Sequence, residues 1–185
     1  MMRTHHPLVG RALPEATTRV TMRPVDDCAR FIMRIDQQQL ATTAIIWGSD
    51  LPALIGGLVA HGERFATCIG PDEWYLLAPL ADQDAIEHAF AHLYQTTIHS
   101  LVDVGHREVG IAIEGPDAVL ALQTGIAFDV GAMPVGSGCR TIIDRVQIIL
   151  LRLGEDQFRV EVWHSFADHV RTLLAGICSE IELGY

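Results

Sequence analysis

Three side chains that can move protons or hold anions fall within five residues of one another: Asp103, His106 and Arg107, in L-V-D-V-G-H-R-E-V-G-I-A-I-E-G-P-D-A (101–118). They lead into an apolar run that reads as a buried strand, so a rigid element would present them. Two uses fit these residue types. The Asp and Arg can pair across a turn and do nothing more, or Arg and His at a strand entry can grip a partner or an anionic ligand. Residue type alone leaves both open.

Elsewhere the candidates are thinner. His88 and His92 stand four apart, a spacing that suits a metal on a helix face. With Asp84 they read instead as a solvated polar face, because no third and fourth ligand is evident. His164-Ser165 has no G-x-S-x-G elbow around it, and Ser165 is better placed to cap a helix. Gly136-Ser137-Gly138 opens a G-x-G, yet Thr141 stands at the third position and a strand follows, so the dinucleotide-binding context fails. No residue is assigned a catalytic, cofactor-binding or metal-binding role.

The elements that must position these residues repeat. G-P-D-E-W-Y-L-L-A-P (70–79) and G-E-D-Q-F-R-V-E-V-W (154–163) share a Gly, an acidic residue two places on, an aromatic two places after that, and an apolar strand. Each reads as a hairpin turn in which Gly permits the reversal, the acid closes an Asx-type bond and the aromatic enters the core. Around them the order is strand, helix, strand, strand, helix, twice. The strands are expected at 31–36, 41–47 (A-T-T-A-I-I-W), 65–69, 74–78, 109–114, along 140–152 as one long strand or a bent pair, and at 158–163. Helices are expected from Asp50 (Leu51, Leu54, Ile55, Leu58, Val59), near Asp82 (Ala85, Ile86, Ala89, Phe90, Leu93), after Asp117 (Ala118, Val119, Leu122) and after Ser165 (Phe166, Val170, Leu173, Leu174, Ile177). The class is α+β, with ferredoxin-like sheets and helices packed on one face. The expected divisions are 1–38 (an extended arm to about residue 27, then the first strand), 39–98 and 99–185, the last two forming one compact unit.

Totals narrow the functions. Of 185 residues, 49% are hydrophobic and only 19% charged, which excludes disorder as the dominant state and hints at a surface partly covered by a partner. Lys plus Arg number 13 against 23 Asp plus Glu, a net charge of −10 that repels nucleic acid and anionic lipid. Cys28, Cys68, Cys139 and Cys178 stand singly, as reduced and mostly buried thiols would. The N-terminus lacks a signal-peptide run and no stretch approaches the length of a membrane span, so a soluble, cytoplasmic protein is expected.

The stretch D-V-G-H-R-E-V-G-I-A-I-E-G-P-D-A-V-L-A-L resembles the D-L-S-H-R-x-V-G-x-x-L-x-G-P-x-A signature of the sarcosine oxidase gamma subunit family. G-P-D-E-W-Y-L-L-A-P, M-P-V-G-S-G-C-R-T (133–141) and F-R-V-E-V-W-H-S-F-A (158–167) follow in the family's order, so the likeness spans about residues 40–180. Val104-Gly105 departs from it where Leu-Ser is usual, losing a hydroxyl.

The resemblance implies a structural, non-catalytic subunit of a heterotetrameric oxidoreductase. That enzyme demethylates sarcosine with oxygen to glycine and hydrogen peroxide and passes the one-carbon unit to tetrahydrofolate. It also implies that FAD, FMN, NAD, zinc and tetrahydrofolate belong to the alpha, beta and delta subunits, with no cofactor on this chain. The implied fold is similar to the folate-binding part of the glycine-cleavage T-protein, which agrees with the duplicated pattern. Asp103, His106, Arg107, Arg140 and Trp163 are then candidate partner-interface residues, Arg and aromatics being enriched at interface centres. A stand-alone folate-binding or aminomethyltransferase-like protein is the alternative, motivated by Asp103 and His106. A small binding module for an unrelated partner is a third.

Overall fold

The computed structural model describes Leu8 and residues 19–184. Most of the expected arm lies outside them. Its last residues are a strand rather than free chain: β1 (Thr21–Pro24) pairs antiparallel with β7 (Glu108–Glu114), Thr21 facing Glu114 and Pro24 facing Ile111. Pro24 is tolerated because β1 is an edge strand.

The chain divides into two compact units, one of Asp27–Gly105 with Gly136–Cys139, the other of Met1–Asp26, His106–Val135 and Arg140–Tyr185. The first unit contains β2 (Cys28–Ile35), the short helix α1 (Ala44–Trp47), β3 (Leu58–His61), β4 (Arg64–Gly70), β5 (Glu73–Pro79), α2 (Gln83–Leu93) and β6 (His99–Asp103). Its sheet runs β3-β4-β5-β2-β6, with each pairing antiparallel. Phe31, Met33, Trp74 and Leu76 on one face of that sheet share a core with Trp47 of α1 and with Ile86 and Phe90 of α2.

In the second unit come β7, α3 (Ala118–Gln123), β8 (Ser137–Ile143, its first three residues counted with the first unit), β9 (Val146–Gly154), β10 (Gln157–Trp163) and α4 (Ala167–Leu183). That sheet runs β8-β9-β10-β7-β1. Met22, Ile113 and Phe158 line up across three of its strands and are all buried. Helices α3 and α4 pack together, and α4 lies along β1 and β10.

The two sheet orders correspond strand for strand, β3 with β8, β4 with β9, β5 with β10, β2 with β7 and β6 with β1. The fold is α+β and duplicated, as the repeated phrase implied. The phrase itself is the β4–β5 hairpin in one sheet and the β9–β10 hairpin in the other, each with a register shift beside the turn. Its aromatics, Trp74 and Phe158, are fully buried. Its glycines work differently from expectation. Neither Gly70 nor Gly154 adopts a positive φ. A Cβ there would lie 3.3 Å from Glu73 Cβ or 3.1 Å from Gln157 Oε1, so these positions are close-packed against side chains that would have to give slightly, and no left-handed backbone calls for glycine. Nor does the acid close its own turn: Asp72 takes both oxygens to Arg34, at 2.9 and 2.7 Å.

Two elements differ from what the sequence pattern predicts. Residues 41–47 are helical, not a strand: a 3-10 turn (Gln37–Thr43) capped by Asp36 runs straight into α1. The β-branched threonines are accommodated because the Thr42 and Thr43 hydroxyls donate to carbonyls three residues back. Leu40, Thr43 and Trp47 are buried at helical spacing. Conversely, Leu51–Gly57 is irregular, with Leu54 and Ile55 exposed, and Leu58 and Val59 enter β3. Pro52 and the Gly56-Gly57 pair break the apparent stripe, which had the right period by coincidence.

Arg152 ties the second unit's longest loop to its sheet. Its guanidinium donates to the carbonyls of Gly131 at 2.9 Å, Met133 at 2.5 Å and Glu155 at 2.8 Å, and lies 5.2 Å from the Phe158 ring centre. Lysine cannot span those acceptors. Arg152→Ala is expected to cost about 2 kcal/mol and lower the thermal midpoint by roughly 6 °C, with Arg152→Lys recovering less than half. A scanning-calorimetry shift below about 1 °C would show that the loop holds without it.

Candidate functional site

Asp103 ends β6 and is half-buried. Its Oδ1 accepts from the Gly105 amide at 2.8 Å and its Oδ2 from the Gln83 amide at 3.2 Å, a closed Asx turn anchored to α2. Gly105, where the family signature has Ser, leaves only 3.1 Å between a notional Cβ and that Oδ1. His106 is exposed in the turn that follows.

Arg107 does not pair with Asp103 across the turn. Its Nη2 donates to Glu108 Oε1 at 2.7 Å, and the guanidinium stands 5.1 Å from the Trp163 ring centre. Its own carbonyl accepts from the His164 amide at 2.6 Å. The β7–β10 register sets Glu108 opposite Trp163, and that is why the cation, the acid and the indole meet. Trp163 is 41% exposed and Phe166, 6.5 Å away between ring centres, is 45% exposed. Phe166 was expected to be buried by α4. It instead closes a 3-10 turn (His164–Phe166) ahead of that helix, and Ser165 forms no side-chain cap.

Arg140 stands on β8 and is exposed. With Phe128, Ile142 and Gln147 it borders a shallow hollow of about 500 Å³. The five predicted contact residues therefore do not form one cluster: Arg107 and Trp163 are joined, while Asp103 and Arg140 have their own surroundings.

Residue reading missed two buried groups. Glu108 is buried, with Oε2 lacking a hydrogen-bond partner among the described residues. Glu161 is 1% exposed and accepts from Arg159 Nε at 2.5 Å. Alternation put Arg159 and Glu161 on the polar side of β10 correctly, but the middle of that side, at Glu161, is covered. The available signal was Gly110, the register partner of Glu161, where a Cβ would fall 2.7 Å from the carboxylate.

No group of three or more His, Cys, Asp or Glu among the described residues is arranged to hold a metal. His88 and His92 are exposed on α2. Burial pushes the thiols of Cys68, Cys139 and Cys178 above their ordinary range, so none is an activated nucleophile. No helix among the described residues is long and apolar enough to cross a membrane.

Residues 35–180 match the model of the sarcosine oxidase, gamma subunit family. A search of the curated proteins finds no match. Among solved structures, a chain of the heterotetrameric sarcosine oxidase from Corynebacterium sp. U-96 in complex with pyrrole 2-carboxylate is 25% identical, with a TM-score of 0.79 over 89% of this chain and 87% of that one. The glycine cleavage system aminomethyltransferase T from Bartonella henselae is 14% identical with a TM-score of 0.67, over 86% of this chain and 46% of its own. The regulatory subunit of aspartate kinase from Thermus thermophilus is 12% identical with a TM-score of 0.51, over 88% and 99%. The last two share the fold.

Proposed function

The chain belongs to the sarcosine oxidase gamma subunit family, and from that premise we propose that it is a non-catalytic subunit of a heterotetrameric sarcosine oxidase, held to its companions through the Arg107–Trp163–Phe166 surface. The observation that carries this reading is the family match across 35–180, joined to the likeness with a heterotetrameric sarcosine oxidase chain over most of both lengths. The proposed host reaction is the oxidative demethylation of sarcosine to glycine and hydrogen peroxide, with the one-carbon unit passed to tetrahydrofolate. FAD, FMN, NAD and zinc are assigned to the alpha, beta and delta companions, in the cytoplasm.

The surface has the composition of an interface centre. Two large aromatic side chains are more than a third exposed beside an arginine already oriented by an ion pair. Covering them removes apolar area from water and leaves no loose cation to desolvate. Asp103, His106 and Arg140 are proposed as further contacts.

Trp163 is the side chain to remove, because Arg107 also partners the buried Glu108 and its loss would unsettle the chain itself. Trp163→Ala is expected to weaken assembly with co-expressed alpha, beta and delta subunits by about 30-fold, while costing the isolated chain about 1 kcal/mol. Native mass spectrometry of the purified complex reads the first and a denaturant titration the second. Full occupancy of the mutant in the complex at sub-micromolar concentration would remove this surface from the interface.

A further inference from the structure

The outer edge of β6 and the cleft beside it lie apart from the Arg107–Trp163–Phe166 surface and share only Asp103 with the contacts proposed above. One hydrogen bond settles how β6 is turned: the Val104 amide donates to the Arg30 carbonyl at 2.9 Å. In an antiparallel ladder the bonded pairs alternate, so Val102 and Ser100, facing Ile32 and Arg34, also turn their amides and carbonyls toward β2. His99, Leu101 and Asp103 turn theirs outward. Among the described residues no strand pairs with that edge.

Edges left open in water are normally short, or defended by Lys, Pro or a bulge. H-S-L-V-D is five residues long, an ordinary strand length, and has no Lys, Pro or bulge; its one acid, Asp103, is held by Gly105 and Gln83. Its surroundings are apolar as well: Ile98 is 85% exposed, Tyr94 60% and Val102 51%. Such an edge is a template for another strand.

On the helix side, α2 and β6 enclose a cleft of about 710 Å³, lined by Glu87, Phe90, Tyr94, His99, Leu101 and Asp103 and by no Lys or Arg. His99 is only 9% exposed, wedged edge-on between the Phe90 and Tyr94 rings at 5.4 and 5.6 Å. Its Nδ1 lies 2.8 Å from the Thr97 carbonyl. A carbonyl can only accept, so Nδ1 bears the hydrogen and Nε2 of the neutral ring offers a lone pair. No hydrogen bond to Nε2 is formed by any described residue. Glu87 and Asp103 meanwhile share the Gln83 amide at 3.0 and 3.2 Å, which holds two carboxylates at the rim. The charged groups here are all acceptors, and the walls are aromatic. That chemistry suits a flat cation with several donors.

We propose that β6 receives an extended segment of a companion subunit, which adds a sixth strand to the first sheet and sets an arginine side chain in the α2–β6 cleft among Glu87, His99 and Asp103. Main-chain hydrogen bonds supply the affinity of such an addition and the seated side chain its register. This rests on the subunit reading above.

Hydrogen exchange of the full-length chain, alone and within the purified heterotetramer, tests it. The outward amides of Leu101 and Asp103 are expected to exchange at least about 10-fold more slowly in the complex. Glu87→Lys, at an exposed position on α2, is expected to weaken assembly by about 10-fold and flatten its salt dependence. Glu63→Lys, in the exposed β3–β4 turn, should do neither. Unprotected Leu101 and Asp103 amides in an intact complex, or a Glu87→Lys complex as tight as the parent, would overturn this inference and leave the subunit reading standing. Absence of any complex would overturn both.

Discussion

Trp74→Ala is expected to destabilise the chain by about 4 kcal/mol. Trp74 is fully buried in the core shared by the sheet, α1 and α2, and its Nε1 donates to the Pro52 carbonyl at 2.8 Å. Removing it empties the space under α2 and strips a partner from that carbonyl. It also releases the irregular segment after α1, for which this bond is an anchor. Three losses of different kind therefore fall together. Denaturant unfolding of the full chain measures the sum; a change below about 1 kcal/mol would mean that neighbouring side chains close the cavity. Trp74→Phe should restore much of the packing and none of the hydrogen bond, which separates the two contributions.

Gly115→Ala is expected to cost about 3 kcal/mol through the backbone alone. Gly115 sits at φ +123°, a region that L side chains rarely adopt, and a Cβ there would lie 2.5 Å from the Arg19 carbonyl oxygen. Neither the φ nor the contact can relax cheaply, because the obstacle is main chain. That carbonyl also accepts from the Asp117 amide, and the Arg19 side chain binds Asp117 Oδ2 at 2.5 Å and the Ile181 carbonyl at 2.6 Å. The methyl group would therefore push β1 away from the start of α3 and from the end of α4. Thermal melting is the check, and hydrogen exchange localises the loss: amides of β1 and its β7 partners should exchange first. A mutant melting with the parent would mean that the turn reaches another conformation at little cost.

Most of the architecture was legible because period and turn chemistry agreed. Helix α2 buries Ile86 and Phe90 where the stripe placed them, and both hairpins lie where the repeated phrase stood. Errors fell where local chemistry competed with pattern. A-T-T-A-I-I-W is β-branched, yet an Asp36 cap and two back-bonded threonines made it helical. The edge strand Thr21–Pro24 carries too few apolar residues to announce itself; its partner lies far along the chain. At the candidate site, Arg107 and Trp163 were legible as residue types. Their contact was not, since it depends on the β7–β10 register. The buried acids, Glu108 and Glu161, were hidden for a related reason: alternation tells which face a residue takes, not whether that face is covered.

The matching sheet orders conceal one difference, and it bears on how the chain assembles in time. The first unit's strands and helices all lie between Cys28 and Asp103, so its sheet can close as soon as that stretch has been synthesised. The second takes its edge strand from before the first unit: Thr21 and Glu114 are 93 positions apart. Closing a loop of that length from an unfolded chain costs about 4 kcal/mol of entropy. Once the first unit has formed, the Arg30–Val104 hydrogen bond holds its entry and exit side by side. Strands β1 and β7 then emerge as neighbours, and the open loop shrinks to roughly a dozen residues and about 2 kcal/mol. A first unit already folded thus makes the second sheet cheaper to close, because a single edge strand of that sheet comes from before it.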